Sequence, residues 1–519
     1  MNSDQIKKIE QELWSAADTL RAESKLTAAE YKDPVLGLIL LRFAENRFNE
    51  TLKKIEENIP TNPRTGKKEI TKDHFIGSAA LYLQDESKYE YLANLPESKD
   101  INEAVNNAMR LIEKDHSDLA GILPKNYQDF GSDLLKGLIR IFNTETIKSI
   151  PGDFFGRIYE FFLMKFSMSG AGAQEGGEFF TPPSLVQLIV NFIEPNHGIV
   201  HDPACGSGGM FIQTAQFIND KVKKSINESI TVYGTELKTN NTKLAKMNLA
   251  IHGLEGKIIE ENSFYSDPHN LVGKCDFIMA NPPFNVKKVD KKKDYVINDP
   301  RLKFGIPKSD NGNYMWIQYF HSYLNKKGRA GFVMASSATD AGSSEKKIRK
   351  KLIETGDVEA IVSISNKFFY TRSLPCHIWF FNKNKKDKNT ILMINAQKTF
   401  TKVNQKISSF STEQLEGLST IIKSYRGEKV NFKANKWLAS NFDNGIYENI
   451  KGLCKIVSLE EIIEEDYSLS PGRHVGFKIE IDKNFDYQKR ISEINSELDT
   501  LKQKSNELIN DIKKNTQKQ

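Results

Sequence analysis

Four consecutive residues, Asn281-Pro282-Pro283-Phe284, carry the chemistry that this sequence offers most clearly. They follow an apolar run, 275–280, which is typical of a buried strand in a parallel sheet. Neither proline can donate a hydrogen bond to a neighbouring strand, and each fixes its own φ, so the strand is expected to end in a stiff turn. Because open α/β folds bind ligands at the carboxyl edge of the sheet, this turn is expected to form part of a site.

The chemistry that suits such a turn is methylation of an aromatic amine. An amine of this kind is a poor nucleophile because its lone pair is delocalised into the ring. The side-chain carbonyl of Asn281 and the main-chain carbonyl of Pro282 could accept hydrogen bonds from its two N–H groups. Such hydrogen bonds would favour a pyramidal nitrogen with a localised lone pair. Phe284 would hold the flat ring by stacking. The alternative is an ordinary turn, in which Asn and Pro are common.

A glycine-rich turn, Asp202-Pro203-Ala204-Cys205-Gly206-Ser207-Gly208-Gly209, follows a short predicted strand at 199–200. A strand, a glycine-rich turn and a helix together indicate a nucleotide-type cradle, since glycines let a ligand approach the backbone closely. The spacing does not match the dinucleotide fingerprint, and the Lys-Ser/Thr pair of a phosphate loop is absent. The acid at Asp202 would repel phosphate and favour an ammonium group.

Polar residues also follow the next two predicted strands. Glu236 comes after 230–234, at the position where a carboxylate usually holds a ribose diol. Asn262 comes after 257–261 and could hydrogen-bond an adenine edge. A solvated acid and a turn-forming asparagine are the simpler interpretations of these two residues.

A further stretch, Glu178-Phe179-Phe180-Thr181-Pro182-Pro183, follows a glycine-rich loop at 169–177. Thr181 is predicted to cap a helix whose first turn contains Pro182. Without the other motifs, this stretch would be interpreted as a plain helix start.

The composition is that of a globular protein of two or three domains: 519 residues, 39% hydrophobic and 27% charged, with a net charge of +6. This mildly basic balance is compatible with nucleic acid without requiring it. The sequence predicts no signal peptide and no membrane helix, which would need about 20 apolar residues. The four cysteines are scattered, so we expect a reducing, cytoplasmic setting with neither disulfides nor a metal site.

The pattern of apolar residues divides the chain into four predicted parts. Residues 1–150 are predicted to be helical, with Asp33 and Pro34 beginning the second helix. Residues 151–400 alternate strands with helices, which is typical of a doubly wound α/β sheet of the Rossmann-like type. The remaining parts are a connecting region, 401–484, and a terminal helix, 485–519.

Two features of these parts allow more than one interpretation. Pro375-Cys376 has the residue pair that cytosine ring methylation uses, but it begins a late apolar strand pattern, so we favour a packed cysteine. The lysine-rich loop at 287–293 could be a solvated surface or could contact a phosphate backbone.

The terminal helix carries an apolar stripe at three-four spacing, indicating a coiled coil or a helix pair. Ser505 fills one position of the stripe. Its apolar members are Ile491, Ile494, Leu498, Leu501, Leu508 and Ile512. A helix folded back on its own chain and a helix that binds a partner are both compatible with this pattern.

Taken together, the four motifs resemble those of adenine-specific amino-methyltransferases in which the cofactor motifs precede the catalytic one. More closely, the chain resembles the methylase (modification) subunit of a type I restriction–modification system. The segments 11–18 and 30–39 are similar to that family's amino-terminal helical domain, and 467–473 is similar to the segment after its catalytic domain. The resemblance covers nearly the whole chain.

The resemblance implies direct transfer of a methyl group from S-adenosylmethionine to the 6-amino group of adenine in double-stranded DNA, without a metal. It implies a specificity subunit that chooses the site, two methylase chains per specificity chain, and a restriction subunit that cleaves unmodified DNA. Asn262 departs from the family, in which an acid is common. The implied adenine-binding residues are Asn281, Pro282, Pro283 and Phe284. The implied cofactor-binding residues are Glu178, Phe179, Phe180, Thr181, Pro182, Pro183, Asp202, Gly206, Ser207, Gly208, Glu236 and Asn262.

Two other functions are compatible with parts of the sequence. A non-catalytic DNA-binding scaffold could retain a cofactor fold, although the intact set of motifs argues against it. Methylation of a glutamine side chain in a protein also suits an Asn-Pro-Pro-aromatic motif. Those enzymes usually have tyrosine where this chain has Phe284, and the large helical part favours DNA.

Overall fold

The computed structural model describes residues 3–61, 64, 68–78, 80–150, 152–169, 181–221, 226–369, 375–402, 407–477 and 486–516. The chain divides into two compact units, Met1–Gly476 and Phe477–Gln519. No helix among the described residues is long and apolar enough to cross a membrane.

The amino-terminal part of the first unit is helical, as the sequence predicts. Its core is centred on one long helix, α2, whose residues from Val35 to Leu41 are fully buried. The α-helices formed by its described residues are α1 (Ser3–Glu23), α2 (Ala28–Asn58), α3 (Lys72–Ile76), α4 (Tyr89–Ala93), α5 (Ile101–Asp115), α6 (Ser132–Ile141), α7 (Glu145–Lys148) and α8 (Gly152–Met168).

The prediction that Asp33 and Pro34 begin α2 is wrong. The helix begins six residues earlier with a capping box, in which Thr27 Oγ1 accepts from the Glu30 N–H at 3.3 Å and the Glu30 carboxylate accepts from the Thr27 N–H at 2.9 Å. This reciprocal pair satisfies two backbone donors and outweighs the one hydrogen bond that Pro34 cannot donate inside the helix. The carbonyl of Pro34 instead accepts from the Tyr127 hydroxyl at 2.8 Å.

Strands alternate with helices through most of the remainder of the first unit. The strands are β1 (Gly198–Asp202), β2 (Ile230–Glu236), β3 (Gly256–Glu260), β4 (Cys275–Ala280), β5 (Leu324–Ala335), β6 (Val358–Ile364), β7 (Cys376–Asn382), β8 (Thr390–Asn395), β9 (Thr401–Lys402), β10 (Ser408–Ser409) and β11 (Cys454–Ser458). The helices are α9 (Pro183–Ile193), α10 (Gly209–Lys221), α11 (Ile226–Ser229), α12 (Thr239–His252), α13 (Asp294–Ile297), α14 (Asn313–Tyr323), α15 (Ser343–Glu354), α16 (Thr412–Tyr425), α17 (Lys436–Ala439), α18 (Leu459–Glu464) and α19 (Pro471–Val475).

Nine of the strands form one sheet in the order β11-β8-β6-β7-β5-β4-β1-β2-β3. Apolar helices cover both faces, so the predicted doubly wound fold is confirmed. The sheet is mixed, because β7 runs antiparallel between β5 and β6, and β11 runs antiparallel to β8. The strands β1 to β5 are mutually parallel, so their carboxyl ends meet at one edge.

Two observations concern the later part of the sheet. Cys376 begins β7 and is fully buried, and burial raises the pKa of its thiol to about 12, so the interpretation as a packed cysteine is confirmed. The outermost strand, β11, comes from residues within the predicted connecting region, with Cys454 in register with Ile394.

One helix, α12, contributes to two cores. Its Leu244, Met247 and Ile251 pack in the helical core, whereas Ala245 and Leu249 pack against the sheet. The contact between α12 and α8 is tight, since a methyl group placed on Gly156 of α8 would lie 2.1 Å from Cε1 of His252, the last residue of α12. A side chain at position 156 would therefore push the two helices apart.

The described residues of the second unit beyond 485 form one helix, α20 (Tyr487–Thr516). The described apolar side chains of its stripe are exposed, from 40% for Ile494 to 63% for Leu508. The predicted terminal helix is thus present in the structure.

Candidate active site

The turn Asn281–Phe284 lies at the carboxyl end of β4, between the ends of β1 and β5. The Asn281 side chain is half-buried, and its Nδ2 donates a hydrogen bond to Thr181 Oγ1 at 2.9 Å. Its Oδ1 has no hydrogen-bond partner among the residues that the structure describes. The Asn281 Oδ1, the atom that would accept a hydrogen bond from a target amine, therefore lies at the edge of the sheet, unbonded within the described part of the chain.

The chain just beyond this turn is fixed by a reciprocal pair of asparagines. Asn285 adopts a left-handed φ of 54°. Its N–H donates to Asn313 Oδ1 at 2.8 Å, and Asn313 Nδ2 donates back to Asn285 Oδ1 at 2.9 Å. Because Asn313 is the first residue of α14, the turn is anchored to the helix that precedes β5.

Phe284 is half-buried and packs against the cores on both faces of the sheet. Its ring meets the buried ring of Phe369 edge to face, with centroids 6.4 Å apart and planes at 83°. Phe369 was not among the residues predicted from the sequence to belong to the site. The aromatic pair Phe368-Phe369, shortly after β6 ends at Ile364, was the signal that could have identified it.

The glycine loop joins β1 to α10 and requires glycine at two positions. Gly206 and Gly208 have φ values of 53° and 81°, which other residues rarely adopt. A Cβ built on Gly206 would have no atom within 4 Å, so the space beside this residue is open. Gly208 lies against α12, with Ala245 Cα 3.6 Å from its Cβ position.

Glu236 ends β2 beside this loop, as the sequence predicts, and is only 7% exposed. Its Oε2 accepts from the Gly206 N–H at 2.9 Å, and its Oε1 accepts from the Lys238 N–H at 2.9 Å. The carboxylate therefore connects the glycine loop to the start of α12.

Asp202 is buried beneath the loop at 1% exposure. Its Oδ1 accepts from the Ala204 N–H at 2.9 Å. Desolvation raises the pKa of Asp202 well above its usual range, and the charge of Glu236 adds to this, although the Ala204 N–H acts in the opposite direction. The structure thus gives Asp202 a role in forming the turn.

Asn262 and Ser207 lie near the same edge. The Asn262 Oδ1 accepts from the Phe264 N–H at 3.0 Å, which is the turn-forming arrangement that the sequence analysis held as an alternative. Ser207 is half-buried, and its carbonyl accepts from Asn248 Nδ2 at 3.1 Å.

The stretch before α9 differs from its prediction. Glu178, Phe179 and Phe180 lie outside the described residues. The prediction that Thr181 caps the helix is wrong, because Pro182 occupies the cap position and α9 begins at Pro183. Two prolines leave fewer N–H donors in the first turn for a cap to satisfy, so the Thr181 hydroxyl instead accepts from Asn281.

The five lysines after the turn differ in their surroundings. Lys291 is half-buried, and its Nζ donates to the carbonyls of Pro307 at 2.9 Å and Asn311 at 3.2 Å. Burial lowers the pKa of Lys291. Lys293 Nζ lies 4.0 Å from the centroid of the Tyr265 ring. The other three, which are exposed, are Lys287, Lys288 and Lys292.

Comparison with family models gives two matches that together span most of the chain. Residues 151–483 match the family described as N-6 DNA Methylase. Residues 9–142 match the family described as HsdM N-terminal domain.

Among individual proteins, the chain is similar to the Type I restriction enzyme MjaIX methylase subunit of Methanocaldococcus jannaschii. The two are 34% identical over 526 residues, covering 97% of this chain and 90% of the relative. The Type I restriction enzyme HindI methylase subunit of Haemophilus influenzae is 32% identical, covering 79% of this chain and 91% of the relative.

Among solved structures, the type I restriction-modification system methyltransferase subunit from Streptococcus thermophilus has a similar fold. The two structures superpose with a TM-score of 0.71 and are 19% identical in sequence. The match covers 90% of this chain and 99% of the other. A chain from a study of complex assembly and conformational transition of the type I R-M system has a TM-score of 0.57 at 18% identity, covering 97% of this chain and 98% of the other.

Proposed function

Because the chain belongs to the N-6 DNA methylase family and, within it, to the type I methylase subunits, we propose that it methylates the 6-amino group of adenine in a specific DNA site. The methyl donor is S-adenosylmethionine. The observation that carries the proposal is Asn281 at the carboxyl end of β4, with its amide nitrogen bonded to Thr181 and its amide oxygen directed to no described partner.

The residues at the sheet edge fit the proposed cofactor. S-adenosylmethionine, when bound, supplies an electrophilic methyl group on a sulfonium centre. The open space beside Gly206 lets a ligand approach the loop backbone, and Glu236 places a carboxylate, the acceptor type that suits a ribose diol, next to that loop. Asp202 supports the loop from below through the Ala204 N–H.

Asn281, Pro282 and Phe284 act on the target base. The Asn281 Oδ1 and the Pro282 carbonyl accept hydrogen bonds from the two N–H groups of the amine and so localise the nitrogen lone pair before the transfer. Extruding the base from the duplex costs roughly a few kcal/mol. Stacking on Phe284, whose ring is held by Phe369, returns about 1–3 kcal/mol of that cost.

Site choice and cleavage require other chains. We propose that a specificity subunit binds the exposed apolar stripe of α20, with two methylase chains per specificity chain, and that a restriction subunit cleaves unmodified DNA. The exposed lysines Lys287, Lys288 and Lys292 are suited to the phosphate backbone next to the target base.

The other two functions considered from the sequence have less support. A protein glutamine methyltransferase is disfavoured because the matched family, over residues 151–483, is one of DNA methylases. A non-catalytic scaffold is disfavoured because the amide oxygen of Asn281 and the space beside Gly206 remain accessible.

The test is methylation by the reconstituted complex. The chain is copurified with its specificity subunit and incubated with unmethylated DNA and S-adenosylmethionine labelled in the methyl group. We expect the label in DNA as N6-methyladenine at one sequence. Label in a protein glutamine residue, or no transfer by a complex that binds the cofactor, would contradict the proposal.

A further inference from the structure

The side-chain amide of Asn281 has two ends with opposite hydrogen-bonding character. Oδ1 accepts, Nδ2 donates, and rotation about the terminal torsion exchanges them. The proposed reaction needs the acceptor end toward the target amine. With the donor end in that place, two N–H groups would face each other. Something outside the catalytic turn must therefore select the orientation.

Thr181 is the described residue that holds the Asn281 amide with its acceptor end free. Its Oγ1 accepts from Asn281 Nδ2 at 2.9 Å, across 100 residues of sequence. Pro182 and Pro183 follow it directly, so their fixed φ angles restrict the backbone that carries the hydroxyl. The helix α9 then packs Leu185 and Val186 into the core under the sheet. The hydroxyl is held by a rigid support.

We propose that Thr181 is a positioning residue that orients the Asn281 amide for methyl transfer, an inference that rests on the proposed function. A hydroxyl can accept from Nδ2 or donate to Oδ1, so the contact holds the amide in place, and in the structure it is Nδ2 that is bound and Oδ1 that is left for the target amine. From the sequence, Thr181 was expected to bind the cofactor and to cap a helix. The positioning role differs from both, because it acts on the rate of transfer through Asn281 and leaves cofactor affinity unchanged.

The first test separates rate from affinity. Thr181→Val keeps the shape and removes the hydroxyl, whereas Thr181→Ser keeps the hydroxyl. In single-turnover assays of the complex with saturating DNA and cofactor, we expect about a tenfold lower rate for the valine variant, since one hydrogen bond is lost. The serine variant should remain within about twofold of wild type. Thr239→Val, at the exposed start of α12, is the control.

Cofactor affinity, measured by calorimetry, decides between the two roles of Thr181. An unchanged dissociation constant in Thr181→Val supports positioning. A wild-type transfer rate, or a cofactor affinity lowered about as much as the rate, would overturn the proposal. So would a serine variant as slow as the valine variant.

A second measurement needs no activity. In spectra of the chain labelled with ¹⁵N-asparagine, the Asn281 side-chain amide signals are identified by their loss in Asn281→Asp. They should shift in Thr181→Val and not in Thr239→Val. If wild type transfers no methyl group but these signals shift, the proposed function fails while the contact is established. If they do not shift, Thr181 does not orient the amide.

Discussion

The backbone N–H of Gly206 donates a 2.9 Å hydrogen bond to Oε2 of Glu236. The carboxylate proposed to hold the ribose therefore also holds the glycine loop beside which the cofactor is proposed to bind. Gly206 maintains a φ of 53° there, and the space beside it stays open. A substitution at Glu236 should consequently affect both the ligand and the loop.

Glu236→Ala is expected to weaken S-adenosylmethionine binding by about tenfold or more, because hydrogen bonds to a charged group contribute about 1.5–3 kcal/mol. It should also lower the melting temperature, since the Gly206 and Lys238 N–H groups lose their acceptor. Calorimetry and thermal unfolding measure the two effects. Glu260→Ala is the matched control, because Glu260 is in register with Glu236 but exposed at the end of β3. Equal cofactor affinities for both variants would exclude the proposed role.

Asn281→Ala is expected to lower methyl transfer by about a hundredfold or more while leaving cofactor affinity nearly unchanged. The substitution removes a preorganised acceptor of the reacting amine, and losses of that size are typical of such groups. Transfer and affinity should be measured on the same preparation. Asn298→Ala, an exposed asparagine of the following loop, is the control. Retained transfer would remove Asn281 from the mechanism.

The lysines of the loop 287–293 should have two different roles, DNA binding for the exposed ones and stability for Lys291. Replacing Lys287, Lys288 and Lys292 with Gln is expected to reduce the slope of log affinity for DNA against log salt by about 2–3, since each phosphate contact contributes about 0.9. Lys291→Gln should leave the slope unchanged and lower the melting temperature, because its Nζ binds backbone carbonyls. A salt titration of DNA binding measures the slope. An unchanged slope in the triple variant would place the DNA elsewhere.

The terminal helix should be needed for assembly. Deleting residues 486–519 is expected to leave cofactor binding intact and to prevent a stable complex with the specificity subunit. A lone helix with an exposed apolar stripe is marginal in water, so it is expected to pack on a partner. Size-exclusion chromatography of the mixture measures assembly.

A finer version of this test keeps the chain at full length. Leu498→Lys with Leu501→Lys interrupts the stripe, whereas Ser496→Lys with Gln503→Lys adds the same charge on the opposite face. Only the first pair should disrupt the complex. A normal complex with the stripe interrupted, or with the tail deleted, would show that this helix does not bind the specificity subunit.

His377 should make stability depend on pH. It is 5% exposed, and desolvation lowers its pKa from 6.5 to about 4, although the charge of Asp340 acts in the opposite direction. Between pH 6.5 and 4 the unfolded chain therefore binds a proton that the folded chain does not, so acidification through this window destabilises the fold. His377→Gln removes that contribution. The melting temperature of wild type relative to the variant should fall as the pH falls, and a constant difference would contradict the assignment.

The architecture could be predicted from the sequence because its signals are local. Apolar runs followed by Asp202, Glu236 and the turn at Asn281 indicate strands and their ends. The rule that parallel strands end at one edge then brings these residues together. The direction of β7 was not predictable in this way, because an apolar run is the same whether it is parallel or antiparallel.

Details of the site required the structure because they depend on contacts between distant residues. The bond between Asn281 and Thr181 joins two motifs that the sequence analysis treated as separate. Unlike the exposed lysines of the same loop, Lys291 points inward because its Nζ donates to backbone carbonyls some 20 residues away in the sequence, including that of Asn311. The start of α2 was misplaced for a different reason, because a strong local signal at Asp33 and Pro34 was outweighed by the capping box at Thr27.

The shared helix α12 makes the two parts of the first unit thermodynamically linked. At its beginning, the Lys238 N–H binds Glu236, and further along, Leu244 and Met247 are part of the helical core. A ligand that binds only the folded pocket stabilises whatever unfolds together with that pocket. Amide hydrogens of the helical core should thus exchange more slowly when the cofactor is added, because its proposed site lies at the amino-terminal end of α12. By the same linkage, replacing Gly156 with a bulky residue, which would disturb the contact between α8 and α12, should lower the affinity for the cofactor.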